Sequence, residues 1–81
     1  MTVTELLNHF IVYIDTIYYK IVKNTGIECG KIYFNVPGEG NEEKYNKFID
    51  EYGDFYVLDW EASHVHIDVT ITEKTLFLHI E

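Results

Sequence analysis

The sequence has few of the features that stabilise exported proteins or target them for export, such as paired cysteines and a signal peptide. It holds one cysteine, Cys29, so no disulfide bond can form within the chain, and a lone thiol is typical of a reducing compartment. The first residues include Glu5 and no basic segment, which does not fit a signal peptide. The longest unbroken apolar run, residues 10–14, is far too short to span a membrane. These absences predict a cytoplasmic protein.

Positive charge is also scarce. Arginine is absent, the six basic residues oppose 14 acidic ones, and the formal net charge is −8. Because DNA, RNA and anionic membranes each require a cationic surface, this composition argues against direct binding to any of them. An apolar content of 47% in 81 residues is typical of one small globular domain over residues 1–81. Such a domain has little room for a deep cleft, and no catalytic or cofactor motif is present, so we expect neither enzyme activity nor a bound cofactor.

The first third of the chain has apolar residues at helical spacing over residues 3–22. Thr2 and Glu5 form a capping box in front of them. This pattern predicts one amphipathic helix over residues 3–23. The alternative is a shorter helix followed by a strand over residues 16–22, where β-branched and aromatic side chains predominate. We prefer the long helix, because its period and its caps agree.

The middle of the chain predicts a strand, a loop and a second helix. Residues 31–36 have the composition of a strand, and residues 37–40 that of a loop. Asn41 is expected to cap the second helix, which Gly53 ends. The inner stripe of this helix is predicted to hold Tyr45, Phe48, Ile49 and Tyr52.

The last third predicts a meander of three strands over residues 55–61, 64–72 and 75–81. With two-residue turns at 62–63 and 73–74, both hairpin registers place apolar residues on one face of the sheet. We therefore expect an α+β domain in which two helices pack on one face of an antiparallel sheet of about four strands. Its core is predicted to include Leu58, Trp60, Ile67 and Val69.

The opposite face of this predicted meander collects histidines and carboxylates. The registers pair Glu61 with His64, Asp59 with His66, and Asp68 with His79. Many metal sites contain two histidines from the same side of one strand, so these histidines are candidate metal ligands. A solvated or partner-facing sheet explains the same pattern without a metal, because polar cross-strand pairs are common there. Phe55 and Phe77 are expected to be exposed in the next row, which indicates a contact with a partner, with a second copy of the chain or with the first helix.

A dense acidic block lies between residues 39 and 61 and is interleaved with aromatic residues. Its acids at 50, 51 and 54 lie at the C-terminal end of the predicted helix, where the helix dipole disfavours negative charge. An acidic, aromatic surface suits a basic protein surface, and carboxylates one helical turn apart approximate the spacing of backbone phosphates. Alternatively, the block is only a solubilising surface. The residues predicted to bind a partner are Glu42, Glu43, Asp50, Glu51, Asp54, Asp59 and Glu61, with Tyr52, Phe55, Tyr56 and Trp60 as aromatic anchors.

The opening residues Met1-Thr2-Val3-Thr4-Glu5-Leu6-Leu7 resemble the start of many small phage and prophage proteins. Short length, strong negative charge and the lack of an enzyme motif are similar to phage counter-defence inhibitors such as anti-CRISPR proteins. They are equally similar to small immunity proteins that neutralise nuclease toxins. The resemblance implies a small inhibitor that acts in the host cytoplasm if it is phage-encoded. From the acidic block we expect an inhibitor or adaptor that binds a basic protein surface which normally holds nucleic acid. Two alternatives remain open, a metal-binding or hydrolytic module on the histidine face and a self-associating structural protein that forms homodimers.

Overall fold

The structure, a computed structural model, describes residues 1–10, 12–23, 26–36 and 38–81. The elements follow in the order α, β, β, α, β, β. They are helix α1 (Val3–Phe10), strands β1 (Thr16–Lys23) and β2 (Gly26–Tyr33), helix α2 (Asn41–Tyr52), and strands β3 (Val57–His66) and β4 (Thr72–Ile80).

The N-terminal third forms a short helix and a strand, so the preferred prediction of one helix over residues 3–23 is wrong. The capping box is present, because the Glu5 N–H donates to the Thr2 hydroxyl at 3.3 Å and the Thr2 N–H to the Glu5 carboxylate at 3.2 Å. Residues 16–22 are strand, as the alternative proposed. Ile17 and Ile21 are buried under the helices, while Tyr18 lies on the opposite face, so the two-residue period of a strand decides the conformation.

The four strands form one mixed sheet in the order β2-β1-β4-β3. The pairs β1–β2 and β3–β4 are antiparallel hairpins, and the central pair β1–β4 is parallel. The α+β class is confirmed, with antiparallel pairing in two of the three ladders. Strand β2 begins earlier than predicted and ends at Tyr33, since residues 34–36 are bends. Of the predicted loop over residues 37–40, Pro37 lies outside the described residues.

Both helices cover one face of the sheet and enclose the core. The buried cluster combines Val3, Leu6 and Leu7 of α1 and Phe48 of α2 with apolar side chains of β1, β2 and β4. The predicted inner stripe of α2 is confirmed, since Tyr45, Ile49 and Tyr52 pack beside the buried Phe48. The other face of the sheet carries neither helix and is called the open face below.

The two ends of α2 differ in how they are capped. Gly40, in the left-handed region at φ 78°, precedes the helix as its N-cap, so the prediction that Asn41 caps α2 is wrong. The Asn41 amide instead donates to the Val36 carbonyl at 2.7 Å. Gly53 ends the helix as predicted. Its carbonyl accepts both the Thr4 N–H and the Thr4 hydroxyl, so the N-terminus of α1 meets the C-terminus of α2.

The C-terminal third is one long hairpin, and the predicted three-stranded meander is wrong. Strand β3 runs without a turn through residues 62–63, and residues 73–74 lie inside β4. The chain reverses over residues 67–71, where the Ile67 N–H donates to the Ile71 carbonyl at 3.0 Å. The ladder pairs Trp60 with Leu78, and its register shifts between Val57 and Asp59.

The predicted core of this third is also wrong. Strand β3 is an edge strand that the helices barely cover, so Trp60 is 46% exposed although it lies on the helix-covered face and packs against Phe10. Ile67 and Val69 lie in the exposed turn, and Leu58 is at the register shift. The C-terminal contribution to the core comes instead from Leu76, Leu78 and Ile80 of the central strand β4.

Candidate functional site

The acidic block of the sequence is divided between two separate surfaces. Its first part lies on and just after α2, which packs against β2 on the helix-covered face. Asp59 and Glu61 lie on β3, at the opposite edge of the sheet. Their ladder partners are His79 and Phe77, whose strand positions face away from the helices. The fold therefore does not bring all seven predicted acids together.

The acids on and just after α2 are exposed to solvent. Glu42, Glu43, Asp50 and Glu51 of α2 and Asp54 after it are all exposed. None of them forms an ion pair within the described part of the chain, where the single recorded ion pair joins Lys31 and Glu73. Lys44 and Lys47 lie on the same helix and reduce the net negative charge at its middle. The charge is therefore strongest at the two ends of α2, and Glu43 and Asp50 are about 10 Å apart along the helix axis at 1.5 Å per residue.

Glu28 of β2 extends this surface and was not singled out in the sequence. Burial from solvent raises the pKa of Tyr19 and of Tyr52, and the nearby carboxylates of Glu28 and Glu51 raise both further. Strand β2 thus brings a carboxylate alongside the C-terminal half of α2. Its two-residue alternation with Gly30 and Ile32 would have placed Glu28 on the helix-covered face, had the strand been predicted from Gly26 onwards. The α2 acidic surface is defined as Glu28, Glu42, Glu43, Asp50, Glu51 and Asp54.

The four predicted aromatic anchors have unequal access to a partner. Tyr52 and Phe55 belong to an interior aromatic cluster, with ring centroids 5.1 Å apart in an edge-to-face arrangement. Tyr56 is 65% exposed and sits where β3 begins, while Trp60 packs on Phe10 at a centroid distance of 4.9 Å. The anchors exposed to solvent are therefore Tyr56 and Trp60, both outside the α2 acidic surface.

The three histidines predicted to share one face are not brought together. His64 and His66 lie on the same face of β3 as Trp60, opposite Lys74 and Thr72, whereas His79 lies on the open face opposite Asp59. All three predicted histidine–carboxylate pairs are therefore wrong, because β3 continues past the expected turn. Within residues 1–10, 12–23, 26–36 and 38–81, no group of three or more histidine, cysteine or acidic side chains is arranged to hold a metal ion.

The open face holds two rows of side chains that cross the whole sheet. One row runs Lys31, Tyr18, Phe77 and Glu61, and the next runs Cys29, Lys20, His79 and Asp59. Tyr18 and Phe77 pack with ring centroids 5.7 Å apart. A shallow depression of about 210 Å³ lies beside them, and the buried Nε2 of His79 has no hydrogen-bond partner among the described residues. These neighbours complete neither a nucleophile–base pair nor a ligand set.

One ion pair bridges the open face across β1. The Lys31 ammonium lies 3.2 Å from the Glu73 carboxylate, whose side chain is only 5% exposed. Thr16 and Thr75 are buried on the same face. The pair therefore links β2 to β4 over the small side chain of Thr16.

Comparison of the chain with models of protein families, with curated proteins and with solved structures finds no match. Within the described residues, no helix is both long enough and apolar enough to cross a membrane.

Proposed function

We propose that this chain is a small protein-binding inhibitor whose α2 acidic surface occupies a basic, nucleic-acid-binding surface of a partner protein. The observation that carries the proposal is the α2 acidic surface itself, six carboxylates on neighbouring elements without an ion pair in the described part of the chain. Lys44 and Lys47 of α2 offset only part of this charge, and a net charge of one sign steers association with a surface of the opposite sign.

Mimicry of nucleic acid accounts for the placement of these acids. Asp50, Glu51 and Asp54 sit at the C-terminal end of α2, where the dipole makes negative charge unfavourable by a few tenths of a kcal/mol or more. A solubilising role does not require that placement, whereas a row of carboxylates presented to a phosphate-binding groove does. The proposed class is a cytoplasmic anti-defence or immunity inhibitor, in line with the resemblance to small phage proteins.

The first test compares two variants that remove equal charge from opposite edges of the sheet. D50N/E51Q/D54N neutralises the C-terminal half of the α2 acidic surface, and D59N/E61Q/D68N neutralises three exposed acids of the β3–β4 hairpin. Both are used as bait in cells of the natural host, and captured proteins are identified by mass spectrometry. We expect the α2 variant to lose the partner, with a dissociation constant raised roughly tenfold or more, and the hairpin variant to retain it.

Salt dependence and competition complete the test. The association rate with the captured partner should fall steeply as salt rises, because screening shortens to about 8 Å at physiological ionic strength. Labelled DNA or RNA should be displaced from the partner by this protein in proportion to its occupancy. If the partner holds nucleic acid and this protein together without mutual weakening, the mimicry proposal is wrong. Equal loss of the partner in both triple variants would mean that total charge, not the α2 acidic surface, drives binding.

A further inference from the structure

The edge of the sheet at β3 is an open row of backbone hydrogen-bonding groups. Met1 and Thr2 cover its start, where Thr2 bridges Tyr56 and the Val57 N–H donates to the Met1 carbonyl at 3.0 Å. Beyond that point, within the described residues, β3 pairs with β4 on one side and with no strand on the other. The strand is ten residues long and contains neither lysine nor proline, the residues with which proteins commonly protect such edges.

The hydrogen bonds at the turn establish which residues of β3 face this edge. In an antiparallel ladder every second residue exchanges hydrogen bonds with its partner. Because Ile67 bonds Ile71 at the turn, the positions of β3 that bond β4 are 65, 63 and 61. The backbone groups directed outward therefore belong to Trp60, Ala62, His64 and His66. The Trp60 N–H confirms this assignment, because it donates to the Asp59 side chain at 2.8 Å instead of to β4.

We propose that a second copy of this chain adds to the β3 edge, antiparallel to it and centred on Ser63, so that two sheets join into one. This register pairs Trp60 with His66 of the second copy and Ala62 with its His64, so every outward-facing residue is paired. The Trp60 N–H then donates to the His66 carbonyl of the second copy in place of the Asp59 side chain. This antiparallel register pairs all four outward-facing residues, whereas a register centred on Ala62 or His64 leaves one of these residues beyond the end of the regular pairing.

The charge pattern of β3 favours its own antiparallel copy. Its acids, Asp59 and Glu61, are in the first half of the strand, and the second half holds no acid. Centred on Ser63, the pairing places Glu61 opposite Val65 of the second copy, and the two Glu61 side chains are about 14 Å apart. Centred on Ala62, they would be about 8 Å apart, a diagonal contact between like charges. A parallel pairing in equal register would place Asp59 and Glu61 directly beside their counterparts.

The side chains flanking the edge favour the same occupant. An apolar groove of about 270 Å³ beside the edge is lined by Phe10, Tyr13, Ala62 and His64 among others. In the Ser63-centred pairing, His64 of the second copy lies next to Ala62 and over this groove. The half-exposed Trp60 is likewise covered by His66 of the second copy. The opposite edge, β2, is less suited to pairing, because α2 packs against it and two glycines weaken it.

The oligomeric state tests the proposal directly. A single added strand buries less than the roughly 800 Å² per partner of a standard interface, so we expect a reversible dimer with a dissociation constant on the order of micromolar. Sedimentation equilibrium over a wide concentration range measures it. A chain that stays monomeric at the highest concentrations overturns the proposal.

Ala62→Pro tests whether the edge is the interface. The Ala62 N–H faces outward, so proline there spares the bonds to β4 while removing one donor from each chain of the dimer. We expect the dissociation constant of the dimer to rise on the order of tenfold or more. Thermal melting monitored by circular dichroism checks that the monomer fold persists. If a folded A62P variant dimerises as tightly as the original chain, the interface lies elsewhere and the proposal is wrong.

Ser63 tests the register without relying on proline. It is exposed and would lie opposite its own copy on the two-fold axis. Ser63→Glu and Ser63→Lys should each weaken the dimer roughly two- to fivefold, because like charges face each other, and an equal mixture should form a tighter heterodimer. In the Ala62-centred register, Ser63→Lys would face Glu61 of the second copy and strengthen the dimer. That result would overturn the proposed pairing.

Discussion

Among single residues, Gly30 shows most directly how one side chain constrains another. The Tyr19 ring lies on Gly30 across the β1–β2 ladder, so that an added Cβ would overlap the ring carbons. Tyr19 in turn packs on Phe48 at a centroid distance of 4.8 Å. The absence of a side chain at Gly30 therefore makes room for the Tyr19 ring between the sheet and α2.

Replacement of Gly30 by alanine should lower the free energy of unfolding by about 1–3 kcal/mol, because the ring must move out of a packed layer. Urea unfolding measures the loss. In a Tyr19→Leu background the same replacement should cost much less, because the overlapping ring is gone. Equal costs in the two backgrounds would show that strand conformation, and not the ring, requires glycine.

Among the elements, β2 and β4 are joined over β1 by the Lys31–Glu73 pair. Partial burial lowers the pKa of Lys31, whereas Glu73 and, to a smaller extent, Tyr33 raise it, and together they leave the pKa above the ordinary 10.5. A lysine with a raised pKa adds stability below its ordinary pKa, and that stability is lost as the pH rises through the folded-state value. Because the Lys31 side chain is 36% exposed, solvent screens part of the attraction.

Lys31→Met should cost about 1–3 kcal/mol, since it leaves the buried Glu73 carboxylate without its cation. Adding Glu73→Leu should recover most of that loss, because the uncompensated charge is removed as well. Urea unfolding of the single and double variants provides the comparison at neutral pH. A double variant no more stable than K31M would mean that Glu73 is held by other contacts.

The elements also show why sequence patterns predicted some parts of the fold and not others. Capping chemistry is local, so Thr2 and Glu5 marked the start of α1 and Gly53 the end of α2. Strand β1 was assigned to a helix because it carries apolar residues on both faces, among them Tyr18, which hides the two-residue period. A turn at residues 62–63 is predicted because it places apolar residues of both hairpins on one face, although Ala62 and Ser63 are poor turn residues. The chain reverses instead at residues 67–71, where the Asp68 side chain accepts the Val69 N–H.

For the whole molecule, three tyrosines between the sheet and α2 couple stability to alkaline pH. Burial is the first cause that raises the pKa of Tyr19, Tyr45 and Tyr52 above 10.0. The folded protein therefore holds these protons more tightly than the unfolded chain does. Stability from this source is complete below pH 10 and is lost as the pH rises above it.

We expect the free energy of unfolding to fall from about pH 10 upward, with tyrosine ionisation and loss of structure occurring together. Urea unfolding across this range, combined with ultraviolet titration of tyrosinate, measures both. Tyr19→Phe should flatten the decline. A decline of the same slope in the Tyr19→Phe variant would show that this side chain is not a source of the pH dependence.

Only part of the candidate site could be predicted from the sequence. The acids of α2 follow from one helix and its neighbours, and local pattern located them. Excluding Asp59 and Glu61 from this surface depends on the position of β3 at the far edge of the sheet, and including Glu28 depends on where β2 begins. Both depend on strand pairing between distant segments, which composition and period do not record.

The central β1–β4 ladder has a consequence for how the molecule reaches its native state. Each hairpin closes a short loop, on a timescale of about 1–10 μs, but Asp15 and Lys74, which are bonded at the end of the ladder, are 59 residues apart. Joining such distant segments carries a larger loop-closure entropy and sets the rate of folding. Two preformed helix–hairpin halves should therefore dock through β1 and β4 as the slow step. Substitutions of Ile17 or Leu76 should then slow refolding more than substitutions at the tips of the hairpins.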